Sequence, residues 1–161
     1  MKTLRVVGVD PGYEGAIVSL TAGRIDTVWD MPVTQNQWNR TQLNYALLAQ
    51  IFGEFDPKGT LVCIERVHAM PKQGVVSMFN FGCQFGALQA YCAAFKLPCR
   101  LVDPKVWKQA AGLIGKPKEA ALDLAKNVIF PTQADFFKLK KHIGRADAAL
   151  IAAHGKKFPI P

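Results

Sequence analysis

Short apolar runs and longer stretches of helical periodicity alternate along this chain. TLRVVGVD (3–10), AIVSL (16–20) and RIDTVW (24–29) are apolar runs of strand length, separated by the turn-forming PGYEG and by TAG. Three antiparallel strands joined by short turns are expected there. After a loop containing Pro and Gln, RTQLNYALLAQIFGEF (40–55) repeats Leu43, Leu47 and Ile51 at helical spacing, with Thr41 as a candidate N-cap. DPKG closes that helix, and TLVCIE (60–65) is a continuous apolar run of the kind a central strand requires.

The segment from Gly74 to Phe95 holds 22 residues without a charge, long enough to cross a bilayer. Ser77, Asn80 and Gln84 recur at steps of three and four, however, which puts a polar stripe on one face of a helix. The pattern predicts a largely buried helix of a soluble protein rather than a membrane span. PCRLV (98–102) is a fifth strand, and DPKVWKQAAG (103–112) opens a helix with Asp103 as cap and Pro104 at its first position. KPKEAALDLAKNVIF (116–130) is a helix stopped by Pro131, and KKHIGRADAALIAAHG (140–155) supplies the last one. Three meandering strands followed by alternating helices and strands predict a single α/β domain over 1–161. Its sheet is mixed and five-stranded, three antiparallel strands then two parallel, flanked by helices.

Charge changes the picture. Against 12 acidic residues stand 20 Lys and Arg, a formal charge of +8, which points to a polyanionic partner. The four cysteines, Cys63, Cys83, Cys92 and Cys99, form no CxxC pair and read as reduced, mostly buried thiols. No signal-peptide pattern precedes the first strand, so a cytoplasmic location is expected.

Asp147 poses a question of chemistry. It lies at the edge of an apolar stripe made by Ala146, Ala149, Leu150 and Ala153, where an ionised carboxylate is costly unless something compensates it. Backbone N–H groups at a helix start would do so, as would a cation shared with other carboxylates. Asp10 and Glu65 end two apolar strands. If those strands pair in parallel, both carboxylates emerge at one sheet edge, and the last helix could bring Asp147 to it. Such a cluster repels itself unless a hard divalent ion sits among its oxygens, with Mg²⁺ as the default.

The blocks VGVDPG, CIERVHAMPKQGVVSMFNFGCQFGALQ, DPKVWKQAAGLIGKPKEAA and KKHIGRADAALIAAHG stand in the order found in RuvC-type Holliday junction resolvases, which the chain resembles from residue 5 to about residue 155. The last block looks especially like the plant organellar branch. The resemblance implies a ribonuclease H-like fold and a homodimer that makes paired, symmetric nicks in four-way junction DNA. It also implies Asp10, Glu65 and Asp147 as metal-binding carboxylates, with two Mg²⁺ ions, replaceable by Mn²⁺, activating water for phosphodiester hydrolysis. No nucleotide cofactor or membrane partner is implied, and the source would be bacterial or a phage protein in its host.

Two positions depart from the bacterial pattern. Gly144 stands where many bacterial members carry an acidic residue, which makes His142 the candidate fourth group, as a metal ligand or as a catalytic imidazole. His68 stands where bacterial relatives carry a wedging aromatic, so His68, Met70 and Lys72 become the candidate junction contacts. Lys105 and Lys108, and Lys116 and Lys118, match the family's basic segments. Lys140, Lys141 and Arg145 lie beside Asp147 and would attract the scissile strand. Gly82 and Gly86 allow close helix approach, which the family implies at the dimer interface. Two other readings fit the same features: a non-catalytic protein that binds branched nucleic acid, and an RNA-processing nuclease of the same superfamily.

Overall fold

The computed structural model describes residues 4–158. Its central sheet has the order β3-β2-β1-β6-β7, formed by β1 (Arg5–Asp10), β2 (Ala16–Thr21), β3 (Arg24–Asp30), β6 (Thr60–Glu65) and β7 (Cys99–Val102). β1 runs antiparallel to β2 and parallel to β6, and β3 and β7 are the edges. This is the mixed sheet expected, three antiparallel strands followed by two parallel ones.

Because side chains alternate across a strand, the sheet splits its apolar residues between two cores. Val7, Val9, Ile17, Val62 and Ile64 face α1 (Tyr45–Gly53) and α2 (Val75–Ala94). Val6, Val18, Leu20, Leu61 and Cys63 face α3 (Pro104–Ala110), α4 (Glu119–Leu124) and α5 (Ile143–Gly155). α5 lies directly across β1. A Cβ on Gly8 would run into the Ala148 carbonyl oxygen and stand 2.6 Å from the Ala152 nitrogen, so the alanines of α5 require glycine beneath them.

Four expectations change. Thr41 is not a helix cap; it belongs to a hairpin of β4 (Val33–Gln35) and β5 (Thr41–Leu43), and Asn44 caps α1 by accepting the Leu47 N–H at 3.0 Å. α2 is not largely buried: only Gln84, Leu88 and Cys92 are, while Phe79 is 71% exposed. The polar stripe turns inward at Gln84, whose Oε1 has no hydrogen-bond partner among the described residues. After α4 the chain does not continue as one helix to Pro131 but forms a π-helical turn, Ala125–Ile129, and a 3₁₀ segment, Pro131–Phe137. The last helix starts at Ile143 rather than at Lys140, because Lys140–His142 form a 3₁₀ turn before α5.

No helix among the described residues is long and apolar enough to cross a membrane.

Candidate functional site

Parallel pairing of β1 with β6 sets Val9 beside Ile64, so the next residues, Asp10 and Glu65, leave the sheet side by side at its carboxyl edge. The alternation that buries Val9 and Ile64 on the α1 side turns these two carboxylates toward α3 and α5. α5, held down on Gly8 by its alanines, delivers Asp147 to the same edge. Asp147 is the fifth residue of α5, and no acidic residue lies in the helix's first turn. Its carboxylate is therefore not explained by the unpaired N–H groups of a helix start, which extend over the first turn only.

The three carboxylates act on one another. Burial, then Asp147, then Glu65 hold the Asp10 carboxyl well above its ordinary range, with Lys108 pulling the other way. Burial pushes Asp147 up to about 6; Lys108 and Lys118 oppose the rise and Glu65 adds to it. Glu65 is fixed from α3, where the buried Trp107 donates its indole Nε1–H to Glu65 Oε1 at 2.9 Å.

A cleft of about 1030 Å³ opens over this edge, with Asp10 and Asp147 in its lining. Lys108, Lys116, Lys118, Lys140, Lys141 and His142 also line it. His142 is 7% exposed, and its Nδ1 accepts the Leu139 N–H at 3.3 Å. Burial, Arg145 and Lys141 lower its basicity against the opposing pull of Asp30, which favours the neutral imidazole.

Other candidate residues lie elsewhere. His68, Met70 and Lys72 occupy the exposed loop between β6 and α2, and Lys105 is exposed on α3; none of them lines the cleft. Arg145 is already committed. Its Nε and Nη2 bond both oxygens of Asp30 at 2.6 and 2.7 Å, and its Nη1 donates to the Phe136 carbonyl at 3.3 Å. Gly82 and Gly86 lie on the outer side of α2, where an added Cβ would meet nothing among the described residues within 4 Å. Gly144 has no such room, since a Cβ there would collide with the Glu14 carbonyl oxygen and approach Gly15 Cα to 2.9 Å. No acidic side chain of the bacterial kind fits at that position with the turn after β1 where it is. Trp107 and Asp30 were not singled out from the sequence, because a buried tryptophan and an Asp at a strand end carry no motif of their own.

The donor chemistry suits a hard divalent cation: oxygen ligands that repel one another, part-buried, with positive charge only at the rim. As the side chains stand, no group of three or more His, Cys, Asp or Glu among the described residues encloses a point where an ion would sit. Glu65 has one oxygen held by Trp107, which leaves the other for a further partner.

No protein-family model matches the chain. Among curated proteins, "Holliday junction resolvase MOC1, chloroplastic" of Chlamydomonas reinhardtii is 29% identical over 148 residues, 78% of this chain. The match spans only 17% of that protein's length. Two Thermus thermophilus RuvC structures, one of them in complex with a Holliday junction substrate, superpose with a TM-score of 0.57 at 16% identity, covering 96% of each chain. The fold is thus the ribonuclease H-like fold of RuvC, and the resemblance to RuvC-type Holliday junction resolvases carried by the four sequence blocks is borne out.

Proposed function

We propose that the chain is one nuclease domain that cuts four-way DNA junctions by divalent-metal-dependent phosphodiester hydrolysis, making paired nicks as a homodimer. The observation that carries this reading is geometric: Asp10 and Asp147 line one lysine-rich cleft, and Glu65 leaves the sheet beside Asp10 at the same edge. A protein that only bound nucleic acid would lose affinity by setting carboxylates beneath a basic rim.

Asp10, Glu65 and Asp147 are the residues that would hold Mg²⁺, or Mn²⁺ in its place, two ions being the number the chemistry favours. A bound divalent ion would supply a deprotonated water near neutral pH and charge stabilisation at the leaving oxygen. The chain's own groups do the rest. Lys108, Lys116, Lys118, Lys140 and Lys141 bind the phosphates of the scissile strand. Trp107 keeps Glu65 in one orientation. With Nδ1 accepting from Leu139, the neutral ring of His142 carries its proton on Nε2, an arrangement suited to donating toward a phosphate oxygen rather than to ligating metal. The outer face of α2, where Val75, Phe79, Gly82 and Gly86 share one side and Val75 and Phe79 are exposed, supports pairing with a second copy.

The test compares cleavage of a four-way junction, linear duplex, flap and structured RNA, with Mg²⁺, with Mn²⁺ and with chelator. Junction-selective, metal-dependent nicking in two strands is expected. Binding without cleavage under every metal condition would favour the non-catalytic reading, and preference for RNA would favour a processing nuclease. Calorimetric titration of Mg²⁺ into the parent and into Asp10→Asn checks the ligand assignment without relying on activity.

A further inference from the structure

The wall of the cleft that carries Lys140, Lys141 and His142 has little structure of its own. It consists of 3₁₀ segments, whose hydrogen bonds are poor and whose runs are short, and then the first turn of α5. Its position must come from tertiary contacts, and adjacent residues supply them. Gly144 lets the start of α5 press on the backbone of Glu14 and Gly15, in the turn after β1. Arg145 reaches the other way, forking onto both oxygens of Asp30 at the end of β3 while also bonding the Phe136 carbonyl. One guanidinium thus joins β3, the 3₁₀ segment and α5, and Asp147 follows two residues later.

We propose that Arg145 is a positioning residue rather than a DNA ligand, and that Asp30 is its working partner. Clamped together, they set where α5 begins and so bring Asp147, His142 and the two lysines to the cleft. This rests on the nuclease reading above. The pair is suited to such a task. Arg145 has a side chain 22% exposed and Asp30 one 62% exposed, so solvent screens the attraction and little global stability is at stake. The two-point fork, by contrast, fixes direction as well as distance, which a lysine cannot reproduce. The GRAD sequence is then read physically: glycine for close approach to the turn, arginine for the clamp, a buried alanine against the sheet, and the site carboxylate.

The experiment uses the full chain with Arg145→Ala, Arg145→Lys, Asp30→Ala and the exchange pair Asp30→Arg with Arg145→Asp. It reads single-turnover cleavage of a saturated four-way junction, junction affinity across a salt series, and amide hydrogen exchange over 139–147. The expected result is a rate loss of about ten- to a hundredfold in each single variant, as misplacement near an ångström produces. Affinity and its salt slope should stay near parental values, exchange over 139–147 should quicken, and the exchange pair should recover part of the rate. The proposal is overturned if Arg145→Ala weakens junction binding and lowers the salt slope by about one while Asp30→Ala does neither, the signature of a lost phosphate contact. Parental cleavage rates in all variants would overturn it as well. If the parent itself cuts no nucleic acid, the nuclease reading fails and exchange alone judges the clamp: equal loss of protection in Asp30→Ala and Arg145→Ala sustains it, and unchanged protection removes it.

Discussion

Trp107 donates its indole Nε1–H to Glu65 Oε1 across 2.9 Å, joining a helix laid against one face of the sheet to the last residue of a central strand. The indole is 1% exposed and also fills the core beneath α3, α4 and α5, so one side chain packs the fold and orients a site carboxylate.

Replacing it by phenylalanine keeps most of the apolar volume and removes the donor. A hydrogen bond to a carboxylate contributes about 1.5–3 kcal/mol, and Trp107→Phe should lose up to that much stability. Its larger effect should be on cleavage, because Glu65 would then be free to rotate. Denaturant melts together with metal-dependent nicking rates separate the two effects; parental nicking in Trp107→Phe would show that Glu65 needs no support from α3.

Without metal, the raised carboxyls of Asp10 and Asp147 oppose folding above mildly acidic pH. Asp147 is raised to about 6 in the folded protein from an ordinary value of 3.8, so the native state binds a proton that the unfolded state has released between these values. Stability therefore falls as pH rises through that window, by up to about 3 kcal/mol. In chelator the melting temperature should be higher at pH 5 than at pH 7, and Asp147→Asn should flatten that dependence and raise stability at pH 7. Mg²⁺ should restore stability at pH 7 in the parent alone. Melts run as a pH series, with and without metal, check all three; a parent that gains stability from pH 5 to pH 7 in chelator would contradict the repulsion.

Gly144 should tolerate nothing larger. A Cβ there meets the Glu14 carbonyl oxygen, a backbone atom that can move only with the whole turn. Gly144→Ala should cost about 1–3 kcal/mol, the range for overpacking, and Gly144→Glu at least as much. Nicking should fall with it, because the turn carries the residues that follow Asp10. Chemical denaturation and junction cleavage measure both.

Gly82 and Gly86 should behave in the opposite way. Since nothing among the described residues lies within 4 Å of an added Cβ at either position, Gly82→Leu should leave the monomer's fold intact. On the proposed dimer, it should separate the subunits by holding two α2 helices apart, and the proposed paired nicking should give way to single, uncoordinated cuts. Sedimentation and a supercoiled cruciform substrate read mass and nick coordination; an unchanged dimer would move the interface off this face.

The sequence by itself went far for elements whose environment is uniform. The apolar runs of β1, β2 and β6 and the ends marked by Asp10 and Glu65 were legible because strands covered on both faces leave a continuous hydrophobic signature. Parallel pairing of β1 with β6 was a condition that the sequence left open and the structure meets. The hairpin of β4 and β5 was not legible. Its strands have three residues each and are mostly exposed, too short for any periodicity to outweigh the helical repeat that follows. The solvent face of α2 was misjudged for a related reason: periodicity separates polar from apolar stripes but does not say which stripe the rest of the chain covers.

At the site, the sequence by itself marked Asp10, Glu65 and Asp147 as candidates, since an acidic residue closing an apolar strand or edging an apolar helix is costly enough to need a purpose. Tertiary structure alone decided what holds them. That Trp107 grips Glu65, that Gly144 makes room for the turn after β1, and that Arg145 is spent on Asp30 all depend on contacts between residues far apart in the chain, 42 positions for the first pair and 115 for the last. The direction of a side chain is set by the neighbours that folding brings to it, and local sequence carries no record of them.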